Sequence, residues 1–134
     1  MEDYTYVVFV YGTLKRNQRG NYLLGDSRFL GTAITKPKYQ LFSCVNFPAM
    51  VKGNLKVNGD LYAVSETIKN QLDFYEGVTD GYYKFEEIEI EKISLVSFEL
   101  TEILQRPINA YIFTESTEEL RKIDEWPCIS ENLI

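Results

Sequence analysis

The sequence contains no histidine. That absence excludes Ser-His-Asp and Cys-His catalysis and all histidine-based metal sites. Carboxylates, tyrosines, lysines and backbone dipoles are left to carry any chemistry. Cysteine is nearly as scarce: Cys44 and Cys128 lie far apart and fit no CxxC or zinc-ligand spacing. The start, Met1-Glu2-Asp3-Tyr4, is acidic and lacks the basic and apolar regions of a secretion signal, so two reduced thiols in a cytoplasmic protein are expected. No apolar stretch approaches the length of a membrane span. Basic residues adjoin only at Lys15-Arg16 and Arg121-Lys122, and 14 basic against 20 acidic residues leave a formal charge of −6. Such a chain has no stripe for tracking phosphates, so neither nucleic acid nor an anionic membrane is an expected partner.

What is present suits one domain of 134 residues, with a core over about 6–114 and a C-terminal helix and tail over 115–134. A chain of this length buries roughly two-thirds of the surface its unfolded form exposes, enough for a core without staples. Hydrophobic residues make up 45% and charged residues 25%, as in ordinary globular proteins. Ten tyrosines and eight phenylalanines lean the composition toward sheet and toward a partly polar cavity wall.

Residues 6–11 (YVVFVY) form a continuous β-branched and aromatic run, which predicts a strand buried on both faces. Gly12-Thr13-Leu14 then turns the chain, and Tyr22-Leu23-Leu24 predicts a short helix closed by Gly25. Shorter strands are predicted over 28–34, 39–43, 47–51 and 56–64, with a tight hairpin or bulge at Asn58-Gly59. The period changes at 65–76. Ile68, Leu72 and Tyr75 recur at helical spacing, Ser65 suits the N-cap and Gly77 follows the end, predicting about three helical turns. Strands are predicted again over 82–92, 95–104 and 108–114. Ser116 and Glu119 match a capping box opening a final helix through Ile123. Strands dominate, with one clear helix between them: an α+β barrel or curled sheet.

Two segments can carry chemistry. A strand ending in Tyr11-Gly12-Thr13-Leu14 turns successive N–H groups outward, where they can form a nest for a carboxylate or oxyanion. On pattern alone, an ordinary glycine turn explains it equally and is commoner. In Leu72-Asp73-Phe74-Tyr75-Glu76-Gly77, Glu76 falls in the last helical turn, where the macrodipole disfavours negative charge by roughly 0.3–1 kcal/mol. Partial burial beside Phe74 and Tyr75 would raise its pKa further. The plainer reading is an exposed glutamate at a frayed end. Asp73 and Asp80 compete as acids, the first read as solvent-facing or capping and the second as a turn residue. Tyr82-Tyr83 can line a pocket or simply pack. Pro48 reads as an edge or turn residue without chemistry, and Cys44 lacks a base to activate it.

Taken together, these residues resemble a known family. The segment Val8-Phe9-Val10-Tyr11-Gly12-Thr13-Leu14-Lys15-Arg16 is similar to the opening signature of the γ-glutamyl cyclotransferase-like superfamily, nearest its γ-glutamylamine cyclotransferase and AIG2-like branch. Val57-Asn58-Gly59-Asp60-Leu61-Tyr62 and Leu72-Asp73-Phe74-Tyr75-Glu76-Gly77 resemble its glycine-acid-leucine-tyrosine strand and its catalytic helix end. Lys84 stands where that family usually has arginine, and Asn17 where the branch has glycine. The resemblance covers residues 6–114 and reverses both plain readings. It implies an α+β fold, a small mixed five- to six-stranded β-barrel flanked by helices. It implies Glu76 as general acid/base, and Tyr11, Gly12, Thr13, Leu14 and Tyr82 as substrate-binding residues. The implied substrate is a small γ-glutamyl amide, cyclised to 5-oxoproline with no metal and no cofactor. The alternative is a non-catalytic small-molecule-binding module on the same scaffold. None of these motifs encodes the leaving amine or the oligomeric state.

Overall fold

In a computed structural model, residues 4–44, 47–97, 100–124 and 126 are described. Nine strands run in chain order: β1 (Tyr6–Val10), β2 (Arg28–Thr35), β3 (Tyr39–Ser43), β4 (Pro48–Lys52), β5 (Asn58–Val64), β6 (Tyr83–Glu87), β7 (Ile90–Leu95), β8 (Ile108–Phe113) and β9 (Arg121–Ile123). One α-helix, α1 (Glu66–Tyr75), lies between β5 and β6, with short 3-10 turns at Asn21–Leu24 and Ile103–Gln105.

Six strands form one sheet in the order β6-β8-β1-β5-β2-β7, and β4-β3-β9 form a second. Among the described residues, only β1 and β8 pair in parallel. Ile88 and Glu89 alone join β6 to β7, which occupy opposite edges of the larger sheet. Three peptide steps span at most about 11 Å, so the two edges come close and the sheet curls strongly. It does not close, because no ladder joins β6 to β7. The α+β class is thus as expected, whereas the expected barrel is an open curled sheet capped by a smaller one.

β1 occupies the centre, and its alternation divides the core. Val7, Phe9 and Tyr11 join the cluster containing Leu41 and Met50 of the second sheet, while Val8 and Val10 face the cluster containing Leu24 and Leu72 of α1. Burial on both faces explains its unbroken apolar run. α1 begins where Ser65 Oγ accepts a hydrogen bond from the Ile68 N–H at 3.2 Å, a cap worth about 1 kcal/mol. Leu72, fully buried, fastens it to the sheet, a contribution of roughly 1.5–3 kcal/mol. The helix ends at Gly77, whose φ of 68° lies in the left-handed region.

Several expectations need correction. Asn58-Gly59 makes no hairpin; both pair within β5, with Ile34 and Ala33 of β2, and the register shift of that ladder lies farther along, between Phe29 and Gly31 across from Tyr62 and Leu61. The strand expected over 82–92 divides at Ile88-Glu89 into β6 and β7. The strand expected over 95–104 ends at Leu95, and the Leu104, Gln105 and Arg106 N–H groups instead bond three residues back. Leu100, Ile103 and Leu104 are spaced for a helical turn and all join the core, which decides the conformation. The expected C-terminal helix does not form. Ser116 Oγ accepts from the Glu118 N–H at 3.3 Å in a local turn, and Arg121–Ile123 pairs with β3. So short a helix is marginal without a packed apolar face, and the strand instead buries Ile123. Trp126 is buried in the core. No helix among the described residues is long and apolar enough to cross a membrane.

Candidate functional site

The buried strand β1 delivers Tyr11, Gly12, Thr13 and Leu14 to a small cavity of about 30 Å³, walled also by Pro48, Glu76, Tyr83 and Tyr111. Gly12 is required by close approach. A Cβ there would lie 2.4 Å from the Pro48 Cγ, so only glycine lets β4 close over the turn. Pro48, read from the sequence as inert, is therefore the lid of the site, and its carbonyl accepts the Tyr83 hydroxyl at 2.8 Å.

The turn is braced from behind. Buried Asp60, only 4% exposed, accepts the Arg16 N–H at 3.0 Å and its guanidinium at 3.3 and 3.4 Å. Asn21 donates to the Leu14 carbonyl at 2.8 Å, and the Gly20 N–H donates to the Thr13 carbonyl. Asn17, standing where the resemblance has glycine, takes a φ of 67°, a left-handed conformation that asparagine tolerates. Lys84, standing where arginine is usual, pairs with Glu86 at 3.4 Å on the exposed edge. Among the described residues, nothing accepts a hydrogen bond from the N–H groups of Gly12, Thr13 or Leu14. They are free to serve an anion.

Glu76 caps the C-terminus of α1, its own N–H bonded to the Leu72 carbonyl at 2.9 Å. Among the described residues it is the one carboxyl lining the inner cavity. Burial pushes it up to about 7 from an ordinary 4.5. The neighbouring phenols are engaged elsewhere. Tyr11 donates to the Tyr111 carbonyl at 2.6 Å and accepts the Met50 N–H, while Tyr111 donates to Asp73 at 2.7 Å. Burial raises all three phenols, Tyr11, Tyr83 and Tyr111, so they stay neutral scaffold. Asp73 is not solvent-facing: it joins Tyr111 to Lys69, 2.8 Å away, and clamps α1 to β8. Asp80 lies in the turn after the helix, as expected. A glutamate near neutrality can give and take protons with comparable ease.

A second, larger cleft of about 460 Å³ opens outside the first, sharing Thr13, Phe47, Glu76 and Tyr83 with it. Tyr82 lies here and not in the inner cavity, where Tyr83 takes the wall position. Strand alternation decides this: Tyr83 opens β6 facing the core, so Tyr82 faces outward. Tyr83 and Tyr111 were legible only as tyrosines within apolar strands, residues that need a hydrogen-bond partner when buried. Cys44 is a free thiol raised by burial and so a poor nucleophile. Cys128 lies outside the described residues. No cluster of three potential metal ligands occurs among the described residues.

Residues 8–127 match the family described as Gamma-glutamyl cyclotransferase, AIG2-like. A Vibrio cholerae protein provisionally named a gamma-glutamylcyclotransferase is 39% identical over 77 residues, covering 58% of this chain and 67% of that one. Gamma-glutamylaminecyclotransferase C of Danio rerio is 34% identical over 90 residues, 60% of this chain and 59% of its own length. The chain spans between about half and two thirds of the length of the curated relatives it matches. The crystal structure of a mouse AIG2-like protein superposes with a TM-score of 0.71 at 22% identity, covering 92% of this chain and 89% of that one.

Proposed function

Because the chain belongs to the AIG2-like γ-glutamyl cyclotransferase family, we propose that it cleaves a small γ-glutamyl amide by cyclisation, releasing 5-oxoproline and a free amine. One observation carries the reading: a near-neutral carboxyl, Glu76, lines the same cavity as three backbone N–H groups that have no acceptor among the described residues.

The reaction suits a site without histidine. The substrate brings its own nucleophile, its α-amino group, which attacks the γ-glutamyl carbonyl carbon of the same chain and closes a five-membered ring. Folding that chain into the cyclising conformer contributes up to roughly 7–11 kcal/mol. Glu76 takes a proton from the α-nitrogen as the carbon–nitrogen ring bond forms. It returns a proton to the amide nitrogen as the old carbon–nitrogen bond breaks. The N–H groups of Gly12, Thr13 and Leu14 bind the substrate carboxylate or the tetrahedral oxyanion. The inner cavity has room for only a small polar group, so the leaving amine lies in the outer cleft beside Tyr82.

A binding module would gain little from a carboxyl that burial makes costly to ionise. Incubation with γ-glutamyl amides tests the proposal. It expects 5-oxoproline and amine in equal amounts. Release of glutamate in place of 5-oxoproline would identify a hydrolase and overturn it.

A further inference from the structure

With the cyclotransferase reading of the inner site as premise, we infer that the outer cleft selects γ-glutamyl amides whose amine carries an aromatic group. Six rings line it: Phe47, Phe74, Tyr75, Tyr82, Tyr83 and Phe113. One wall is a continuous edge-to-face series, Phe47 to Tyr83 at 6.4 Å and Tyr83 to Phe113 at 5.3 Å between centroids. Phe74 and Tyr75 at the end of α1 and Tyr82 in the turn after it line the same cleft. Phe74 is 89% exposed and Tyr82 53%, an arrangement that leaves large apolar surface facing solvent at the mouth of a site.

Tyr82 is placed there by Gly77. A Cβ on that glycine would lie 2.8 Å from the Tyr82 ring, so the missing side chain seats the ring one residue beyond Glu76. The Tyr82 N–H also donates to the Gly77 carbonyl at 3.1 Å. A leaving amine receiving its proton from Glu76 would therefore emerge between aromatic faces. At about 460 Å³ the cleft lies within the ordinary range for small-molecule sites. Stacked and edge-to-face ring contacts add to apolar burial there.

Two measurements on the whole protein test this. In the first, binding of free phenethylamine, methylamine and 1,4-diaminobutane is compared by calorimetry, which needs no turnover. In the second, kcat/KM for 5-oxoproline release is compared for the three corresponding γ-glutamyl amides. Phenethylamine and its amide should lead by about tenfold or more. Tyr82→Ala should lower kcat/KM for the phenethylamide at least about fivefold more than for the methylamide, narrowing that preference. Phenethylamine binding no tighter than methylamine, or no tighter than the diamine, overturns the inference whatever the turnover. A phenethylamine preference without 5-oxoproline from any amide keeps the aromatic cleft and refutes the cyclotransferase reading instead.

Discussion

Replacing Glu76 with glutamine should abolish turnover and, above neutral pH, stabilise the fold. Burial holds the Glu76 carboxyl up at about 7 against an ordinary 4.5. A difference of one in pKa between folded and unfolded chains is worth ~1.4 kcal/mol, so complete titration of this group costs the folded state about 3 kcal/mol. Below 4.5 the carboxyl is protonated in both states and nothing is lost. As pH rises, the unfolded chain releases its proton first and stability falls, with the full loss reached above about 7. Because Glu76 keeps some contact with solvent, we expect a decline of about 2 kcal/mol between pH 5 and pH 8. The chain has no histidine, the side chain that ordinarily titrates in that window, so the signal is little obscured. Urea denaturation at pH 5 and pH 8 measures it for both proteins. The wild type should lose stability across the interval while Glu76→Gln stays nearly level. A variant that declines as steeply as the wild type, or is the less stable at pH 8, would refute the assignment of a costly buried carboxyl.

Other consequences follow from the same geometry. The kcat/KM of the wild type should rise through about pH 7 as Glu76 becomes the free base, and a pH–rate profile flat from pH 5 to 9 would deny it that role. Gly12→Ala would drive a Cβ into the Pro48 ring; circular dichroism should show a folded but destabilised protein, by about 1–3 kcal/mol, without detectable turnover. Arg16→Ala leaves Asp60 buried with one backbone donor and should cost about 2 kcal/mol in chemical denaturation, discounted for the half-exposed guanidinium.

The strands and helix that build this site were legible because their signals are local. The β-branched and aromatic run YVVFV reads as a strand buried on both faces, and Ser65 and Gly77 bracket α1 by capping chemistry. Position at the ends of those elements made Tyr11, Gly12, Thr13, Leu14 and Glu76 candidates, the family resemblance singled them out over the plainer readings, and all five line one cavity. What failed depends on partners distant in sequence. Ser116 and Glu119 satisfy a capping box, yet the segment following them is claimed by β3 as a strand. Nothing local tells that Pro48 lies on Gly12, that Asp60 holds Arg16, or that Asp73 ties Lys69 to Tyr111. The exchange of Tyr82 for Tyr83 at the inner wall is a one-residue question of strand phase, and phase is set by pairing with β8.

The most direct test of the central claim is 5-oxoproline release from γ-glutamyl amides by the wild type and by Glu76→Gln, with both proteins shown to be folded. General acid–base catalysis contributes roughly 10²–10⁴-fold. The account predicts 5-oxoproline from the wild type and a loss of at least about a hundredfold in the variant. Turnover by Glu76→Gln at the wild-type rate would contradict it.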